Sequence, residues 1–453
     1  MRKRRQQFRI KAGAASERRG IDAPEFLLLH SSIFARESDD LIRDWLDRSA
    51  RSPWLTGLWF AAFASVVGMF IFLPDNSWDL RVSSEAMQYL RMGVDPYAAS
   101  LARQRAEAAL GHDKGEAALG HRVFVYLYPP ISIELLKVLN MVPAWLRAAI
   151  FWMVYAVGFG LQLWAGSRFA LAAEWRVLRF VLPLVMFFPA FVPSDTLLSG
   201  NIAIPMYGAV LAAAARGLHK QRWGVFFAVV VATSLLKPPM LVWLAVPVLL
   251  GCAQLVPAVV AALCGVGLFA VQKFLWAQRF AEFMSSIRYT LPLEINYSTM
   301  AMFGKFLEFI GHPSDRAAVA FYIAVSLTIF GVLMYFAQEF RRKNVRAESF
   351  AVVVLVSTAL FALRLKEYDL LPLTIPMTLI VLRGLRNPVA RIMLVLGAVG
   401  VGVALITDRL TAVDLISVAT VFLVGVHGLN TEAHSSRALR ECEEVAVPQA
   451  VRV

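Results

Sequence analysis

Two carboxylates and an arginine crowd the stretch "LPDNSWDLRV", Leu73 to Val82: Asp75, Asp79 and Arg81. They follow a 20-residue run without a charged side chain, Trp54 to Leu73, long enough to cross a bilayer as a helix. A carboxylate at such an edge is partly desolvated, which raises its pKa toward that of a useful base. A base of that kind can take a proton from a hydroxyl. Lys237, in "LLKPPM" (Leu235 to Met240), stands in an equally costly place, ending an apolar run beside two prolines. An ammonium there needs an anion to bind, unless it snorkels to the headgroups. Arg364 and Lys366 in "RLKEYD", and Arg288, are similarly placed. Together these cations suit an anionic ligand.

Other polar residues have two readings each. Asp195 and Asn201 either cap helix ends or reach a substrate. Tyr128-Pro129-Pro130 is expected to shape a surface helix, with the Tyr ring in the interfacial belt. Tyr368 and Asp369 either contact a ligand or serve Lys366 or Arg364 as a salt partner. His112 and His121 belong to a unit written twice, Glu-Ala-Ala-Leu-Gly-His at 107 and at 116. Paired histidines invite a metal. A slipped duplication that lengthened a solvated helix is the simpler account, and nothing nearby has good ligand spacing. No metal site or cofactor is assigned, and a divalent metal stays open.

The elements that position these groups follow from composition. Of 453 residues, 58% are hydrophobic and 17% charged, with a mean hydropathy of +0.60. A soluble domain would carry roughly a quarter charged residues. Lipid is the solvent that explains the deficit. The net charge of +13 sits in short clusters between apolar runs, a membrane-topology pattern rather than a nucleic-acid surface. Three cysteines, Cys252, Cys264 and Cys442, form no framework. The basic start, "MRKRRQQFRIK", leads to an apolar run only some forty residues later and does not read as a cleavable signal.

Apolar runs predict spans near 54–73, 144–166, 180–193, 200–215, 222–237, 239–252, 255–273, 317–338, 348–363, 369–384, 390–406 and 411–428. The run 123–143 is ambiguous, since prolines interrupt it and it carries Glu134 and Lys137. If it does not cross, every strongly basic loop falls on the side of the N-terminus, as the positive-inside rule prefers. These loops hold Arg168 to Arg179, Arg216 to Arg222, Arg341 to Arg346 and Arg383 to Arg391. The expected protein is an all-α, polytopic bundle of about twelve membrane helices with both termini cytoplasmic. Residues 1–53 form a basic cytoplasmic segment, 54–430 the membrane domain, and 431–453 a polar, disordered tail. The outer loops, 74–143 and 274–316, carry surface helices, and the candidate residues share the outer face.

Several of these stretches, in this order, resemble a known family. An Asp after the first span is followed by "GVDPY" (Gly93 to Tyr97) and "YLYPP" (Tyr126 to Pro130). Next come "LLSGN" (Leu197 to Asn201), "LLKPPM", "INYST" (Ile295 to Thr299) and "KEYDLLPLTIP" (Lys366 to Pro376). The set resembles the membrane glycosyltransferases of the GT-C superfamily, and more narrowly glycosyltransferase family 87, the polyprenyl-phosphate-mannose-type transferases. The resemblance covers roughly residues 54–385.

It implies a cavity between helices at the outer leaflet of the plasma membrane. It implies an inverting transfer of a mannose-like sugar from a polyprenyl-phosphate donor to a lipid or glycan acceptor. It places Asp79 as the catalytic base; beside it, Lys237, Asp195, Asn201, Tyr128, Arg288, Asn296, Arg364, Lys366, Tyr368 and Asp369 are the expected substrate contacts. A transporter or flippase of lipid-linked glycans is the alternative. That reading requires charges near mid-span and inverted-repeat hydropathy, whereas the charges here gather at outer span ends. A membrane subunit without activity requires no convergent acid-base set.

Overall fold

The computed structural model describes residues 52–54, 57, 61, 78–110, 125–187, 199–250, 254–290, 298–363, 365–407 and 410–450. The chain divides into two units, Met1–Trp59 and Phe60–Val453; everything below belongs to the second. The basic N-terminal segment and most of the span 54–73 lie outside the described residues, as does Asp75.

Among the described residues the chain is helical and contains no strand. Three helices precede the bundle: α1 (Trp78–Arg91), α2 (Pro96–Leu110) and α3 (Ile131–Asn140). Then come α4 (Ala144–Phe169), α5 (Ala172–Phe187), α6 (Ala203–Lys220) and α7 (Gly224–Ser234). A 3-10 segment, Pro238–Leu244, leads into the short α8 (Ala245–Leu249). Next are α9 (Leu255–Leu275), α10 (Ala277–Thr290), α11 (Thr299–Phe309), α12 (Asp315–Arg341) and α13 (Ala347–Phe361). One turn, α14 (Glu367–Leu370), and a 3-10 turn open α15 (Thr374–Gly384), before α16 (Pro388–Ile406) and α17 (Leu410–Ala450). Five helical segments are long and apolar enough to cross a membrane: α4, α9, α12, α16 and Ala412–Ala438 of α17. The protein is an all-α polytopic membrane protein.

Apolar runs therefore locate helices well, but prolines break two of them. The run 239–252 is not one helix. Pro238 and Pro239 lack N–H donors and open a 3-10 turn in its place. The run 369–384 is likewise broken at Pro372. Within 123–143, α3 is ten residues, about 15 Å, half the hydrocarbon thickness. It packs beside α1, where the Asn140 amide donates to the Met87 carbonyl at 3.0 Å.

Helices α6 and α13 are buried on nearly every side and form the centre of the bundle. Small residues let α4 and α6 cross closely: a Cβ on Gly158 would lie 2.2 Å from Pro205 Cα. Buried Gln162 donates to the Ile204 carbonyl across that crossing at 3.0 Å. A second, smaller core joins the surface helices, built on Val82, Ala86, Tyr97, Tyr126, Ile133 and Phe283.

The expected disordered tail is corrected. Helix α17 runs unbroken through residues 431–450, 41 residues in all. Its polar half is braced: Arg437 pairs with buried Glu339 at 2.6 Å, Glu432 with Arg346 at 2.7 Å, and Arg440 donates to the Arg342 carbonyl at 2.8 Å. Polar residues at helical spacing stayed ordered because their partners lie on α12 and the following turn.

Candidate active site

Asp79 is the second residue of α1 and only 9% exposed. Its position is set by the turn Ser199–Asn201 ahead of α6. The Ser199 carbonyl accepts from the backbone N–H groups of Asp79 (3.0 Å) and Leu80 (3.4 Å). Gly200 between them has φ +73°, and a Cβ there would sit 3.0 Å from Leu80 Cβ. Only glycine meets both demands without strain. The turn thereby presents Asn201, whose Nδ2 donates to Asp79 Oδ2 at 2.8 Å. Its Oδ1 accepts from the Ala203 N–H at 2.8 Å, which satisfies the start of α6. Asn201 therefore both closes the turn ahead of α6 and partners the carboxylate directly.

Burial pushes the Asp79 carboxyl up from 3.8 to about 7, against the Asn201 hydrogen bond, the Lys237 charge, the Ser199 hydroxyl and the Lys366 charge, which all pull it down. A carboxyl balanced near neutrality both accepts and returns a proton at working pH.

Lys237 finds its anion within the protein. Its Nζ lies 2.5 Å from Asp369 Oδ1, with both side chains largely buried. The Tyr207 hydroxyl donates to the same oxygen at 2.8 Å, and the Lys366 N–H donates to Oδ2 at 3.0 Å. Lys237 also lies 4.0 Å from the centre of the Tyr368 ring, a cation-π contact. The sequence reading is refined here. Lys237 does not snorkel, because the helix ends at Ser234 and the 3-10 turn aims its side chain inward. Asp369 takes Lys237 as a salt partner. Tyr207, invisible as a polar site in an Ala- and Gly-rich helix, completes the cluster.

The Tyr-Pro-Pro turn forms the third wall. Tyr97 donates to the Tyr128 carbonyl at 2.6 Å, and Tyr126 donates to Ser132 Oγ at 2.7 Å. Ser132 in turn donates to the Pro129 carbonyl at 2.6 Å. The Tyr128 ring does not join an interfacial belt. It packs on Tyr126 at 5.6 Å between centroids. Its hydroxyl is held well above the ordinary phenol range by burial first, then by the charge of Asp79 and by Tyr368.

Of the remaining candidates, one is described. Arg288 is exposed at the end of α10. Asp195, Asn296 and Arg364 lie outside the described residues. "INYST" ends as a helix start, with Ser298 accepting from the Ala301 N–H at 3.3 Å. The repeat begins in α2, where Glu107 is buried rather than solvated; His112 and His121 lie outside the described residues. Among the described residues no group of three His, Cys, Asp or Glu could hold a metal ion.

Asp79, Asn201, Tyr128, Lys237, Lys366, Tyr368 and Asp369 thus form one polar seam between the surface helices and the bundle. It can accept a proton and stabilise an anion side by side. The model of one family, glycosyltransferase family 87, matches residues 126–363. No curated protein matches the chain.

Proposed function

The chain belongs to glycosyltransferase family 87, and on that premise we propose that this membrane glycosyltransferase moves a mannose-like hexose from a polyprenyl-phosphate sugar to a lipid or glycan acceptor. We place the reaction at the outer face of the plasma membrane, with inversion at the sugar carbon.

Asp79 is the general base. The acceptor hydroxyl gives its proton to the Asp79 carboxylate as its oxygen bonds to the anomeric carbon. The bond from that carbon to the phosphate oxygen breaks on the opposite face, and polyprenyl phosphate departs with the electron pair. Lys366 and Lys237, which already lower the Asp79 pKa, are close enough to favour the growing phosphate charge. The donor's tail lies in the bilayer and its phosphate at headgroup level, so a base at the end of the first span is where the chemistry must occur.

One observation carries this reading: a buried carboxyl raised to about 7, held by an amide and flanked by two lysines. Asp79→Asn keeps size and hydrogen bonding but accepts no proton. It is expected to insert, bind the lipid donor and lose at least about a hundredfold in turnover. Asp75→Asn is expected to do much less. Equal effects, or full transfer by Asp79→Asn, would remove Asp79 from this role. A flippase would move lipid-linked sugar across vesicles with Asp79→Asn as well as with the wild type.

A further inference from the structure

Asn140 ends α3 where the last turn of α1 and the first turn of α4 come together. Its Nδ2 donates to the Met87 carbonyl at 3.0 Å, which fixes where its Oδ1 points. Two guanidinium groups donate to that one oxygen, Arg91 through Nε at 3.2 Å and Arg147 at 3.3 Å. Asn140 is neutral, so two positive charges are held together with no anion between them. Among the described residues neither arginine has a carboxylate within ion-pair reach. The acids around them are engaged elsewhere. Glu134 pairs with Lys137 at 3.0 Å and with Arg279, and Glu85 faces Arg103 at 3.6 Å. Asp95 accepts from the N–H groups of Tyr97 and Ala98 at 2.9 and 3.2 Å. Asp79 lies at the other end of α1, about 18 Å away along the helix. A guanidinium carries five N–H donors, and each arginine spends one here. The rest suit a phosphate, which takes two N–H groups of an arginine side by side.

The same corner exposes an apolar stripe. Leu135, Val138 and Met141 recur at helical spacing and are exposed, Met141 to 83%, whereas Ile133 and Leu136 are buried in the small core. Trp145, 72% exposed, carries the stripe onto α4, a helix long and apolar enough to cross the membrane. Only Met141 to Pro143 separate the two helices, so α3 lies at the depth where α4 leaves the bilayer. A stripe continuous with a membrane-crossing face meets lipid, and a tryptophan suits that boundary.

We propose that Arg91 and Arg147, pinned together by Asn140, bind the phosphate of an anionic phospholipid in the leaflet that α3 meets. The acyl chains run along Leu135, Val138, Met141 and Trp145. The stripe favours a lipid over a soluble anion, and the unneutralised pair favours an anionic headgroup over a zwitterionic one. Asn140 is a positioning residue that sets how far apart the two cations stand. The site takes no part in the proposed transfer.

The test uses the full-length protein in nanodiscs of phosphatidylcholine and phosphatidylglycerol, with a photoreactive acyl-chain probe of each lipid in turn. Labelled peptides are mapped by mass spectrometry. The readout is the phosphatidylglycerol-to-phosphatidylcholine labelling ratio over residues 135–147, set against the exposed middle of α16, Val395 to Val403. The wild type is expected to give a ratio well above the α16 value. Arg91→Gln and Arg147→Gln should each lower it about fivefold, the scale for one basic residue at an anionic surface. The double variant should reach the α16 value, with labelling of α16 unchanged as the sign that the chain is inserted and folded. A wild-type ratio equal to that of α16, or a ratio unmoved in the double variant, would overturn the assignment. So would a stripe labelled by neither lipid, the result expected if a second copy of the chain covered it. A further arm adds inorganic phosphate against chloride of equal ionic strength. Loss of the lipid signal with phosphate alone would make this a site for a soluble anion, and the lipid assignment would fall. None of these outcomes depends on Asp79, so failure here is separate from failure of the proposed transfer.

Discussion

Asn201 reaches across 122 residues of sequence to donate its amide N–H to Asp79, while its amide oxygen accepts from the Ala203 N–H at the start of α6. The two bonds fix which way the amide points, so the carboxylate meets a donor and never a lone pair. A hydrogen bond to the charged form favours ionisation, and here it opposes burial.

Removing that donor should therefore move the base. Asn201→Ala is expected to raise the Asp79 pKa further above about 7. The acidic limb of the kcat/KM profile, which needs the carboxylate ionised, should then shift to higher pH. A profile that falls in height but keeps its limb would mean that Asn201 serves only to hold α6.

Stability should carry the same signature. A carboxyl whose folded pKa lies above its unfolded value favours folding while it is protonated. That contribution is present below about pH 4 and lost as pH rises to about 7. Asp79→Asn should flatten this slope and raise the melting temperature of the detergent-solubilised protein at pH 8. A variant with the wild-type slope would show that some other group titrates there.

The Lys237–Asp369 pair should be fragile when halved. Asp369→Ala leaves a buried ammonium without its anion and is expected to cost about 3 kcal/mol of stability. Lys237→Met combined with Asp369→Leu should recover most of that loss in thermal melts. Transfer should stay low in the double variant if the Lys237 charge serves the proposed phosphate. Restored transfer would reduce the pair to a structural role.

Gly200→Ala tests the turn itself. The left-handed φ disfavours a side chain by about 1–2 kcal/mol, and Leu80 crowds the new methyl. The chain should still insert, with Asn201 displaced and turnover reduced more than stability. Wild-type turnover in this variant would show that the turn tolerates the shift.

Sidedness can be read at exposed positions. With Cys252, Cys264 and Cys442 replaced by serine, Arg288→Cys should react with an impermeant thiol reagent from outside. Arg342→Cys and Arg386→Cys should react only from the cytoplasm. The reverse pattern would invert the proposed orientation and move the Asp79 seam to the cytoplasmic side.

Much of this arrangement is legible in the sequence, and the reasons are physical. Asp79, Lys237 and Asp369 are ionisable groups at the ends of apolar runs, and such groups are expensive unless used. Gly200 beside Asn201 marks a turn. What could not be read is which groups meet. Lys237 and Asp369 are 132 residues apart, and any of several cations could have claimed the carboxylate. Tyr207 lies in a helix of small apolar residues, where a tyrosine reads as core. The polar half of α17 looked disordered because its stability comes from Glu339 and Arg346 rather than from its own composition. Proline pairs announced a break but not whether a 3-10 turn would fill it.

The surface helices have their own small core, separate from the large one of the bundle. Between Asp79 and the turn before α6 the joint is held by peptide groups, one amide and the Ser199 hydroxyl. Prising Asp79 and Leu80 away from Ser199 and Asn201 forfeits four hydrogen bonds, each worth about 1 kcal/mol net, whereas parting either core would forfeit far more. That joint is therefore easier to part than either core, and it runs beside the Asp79 carboxylate. In amide exchange the N–H groups of Asp79 and Leu80 should open well before those of α6 and α13, so the mouth of the site can breathe while the bundle stays shut.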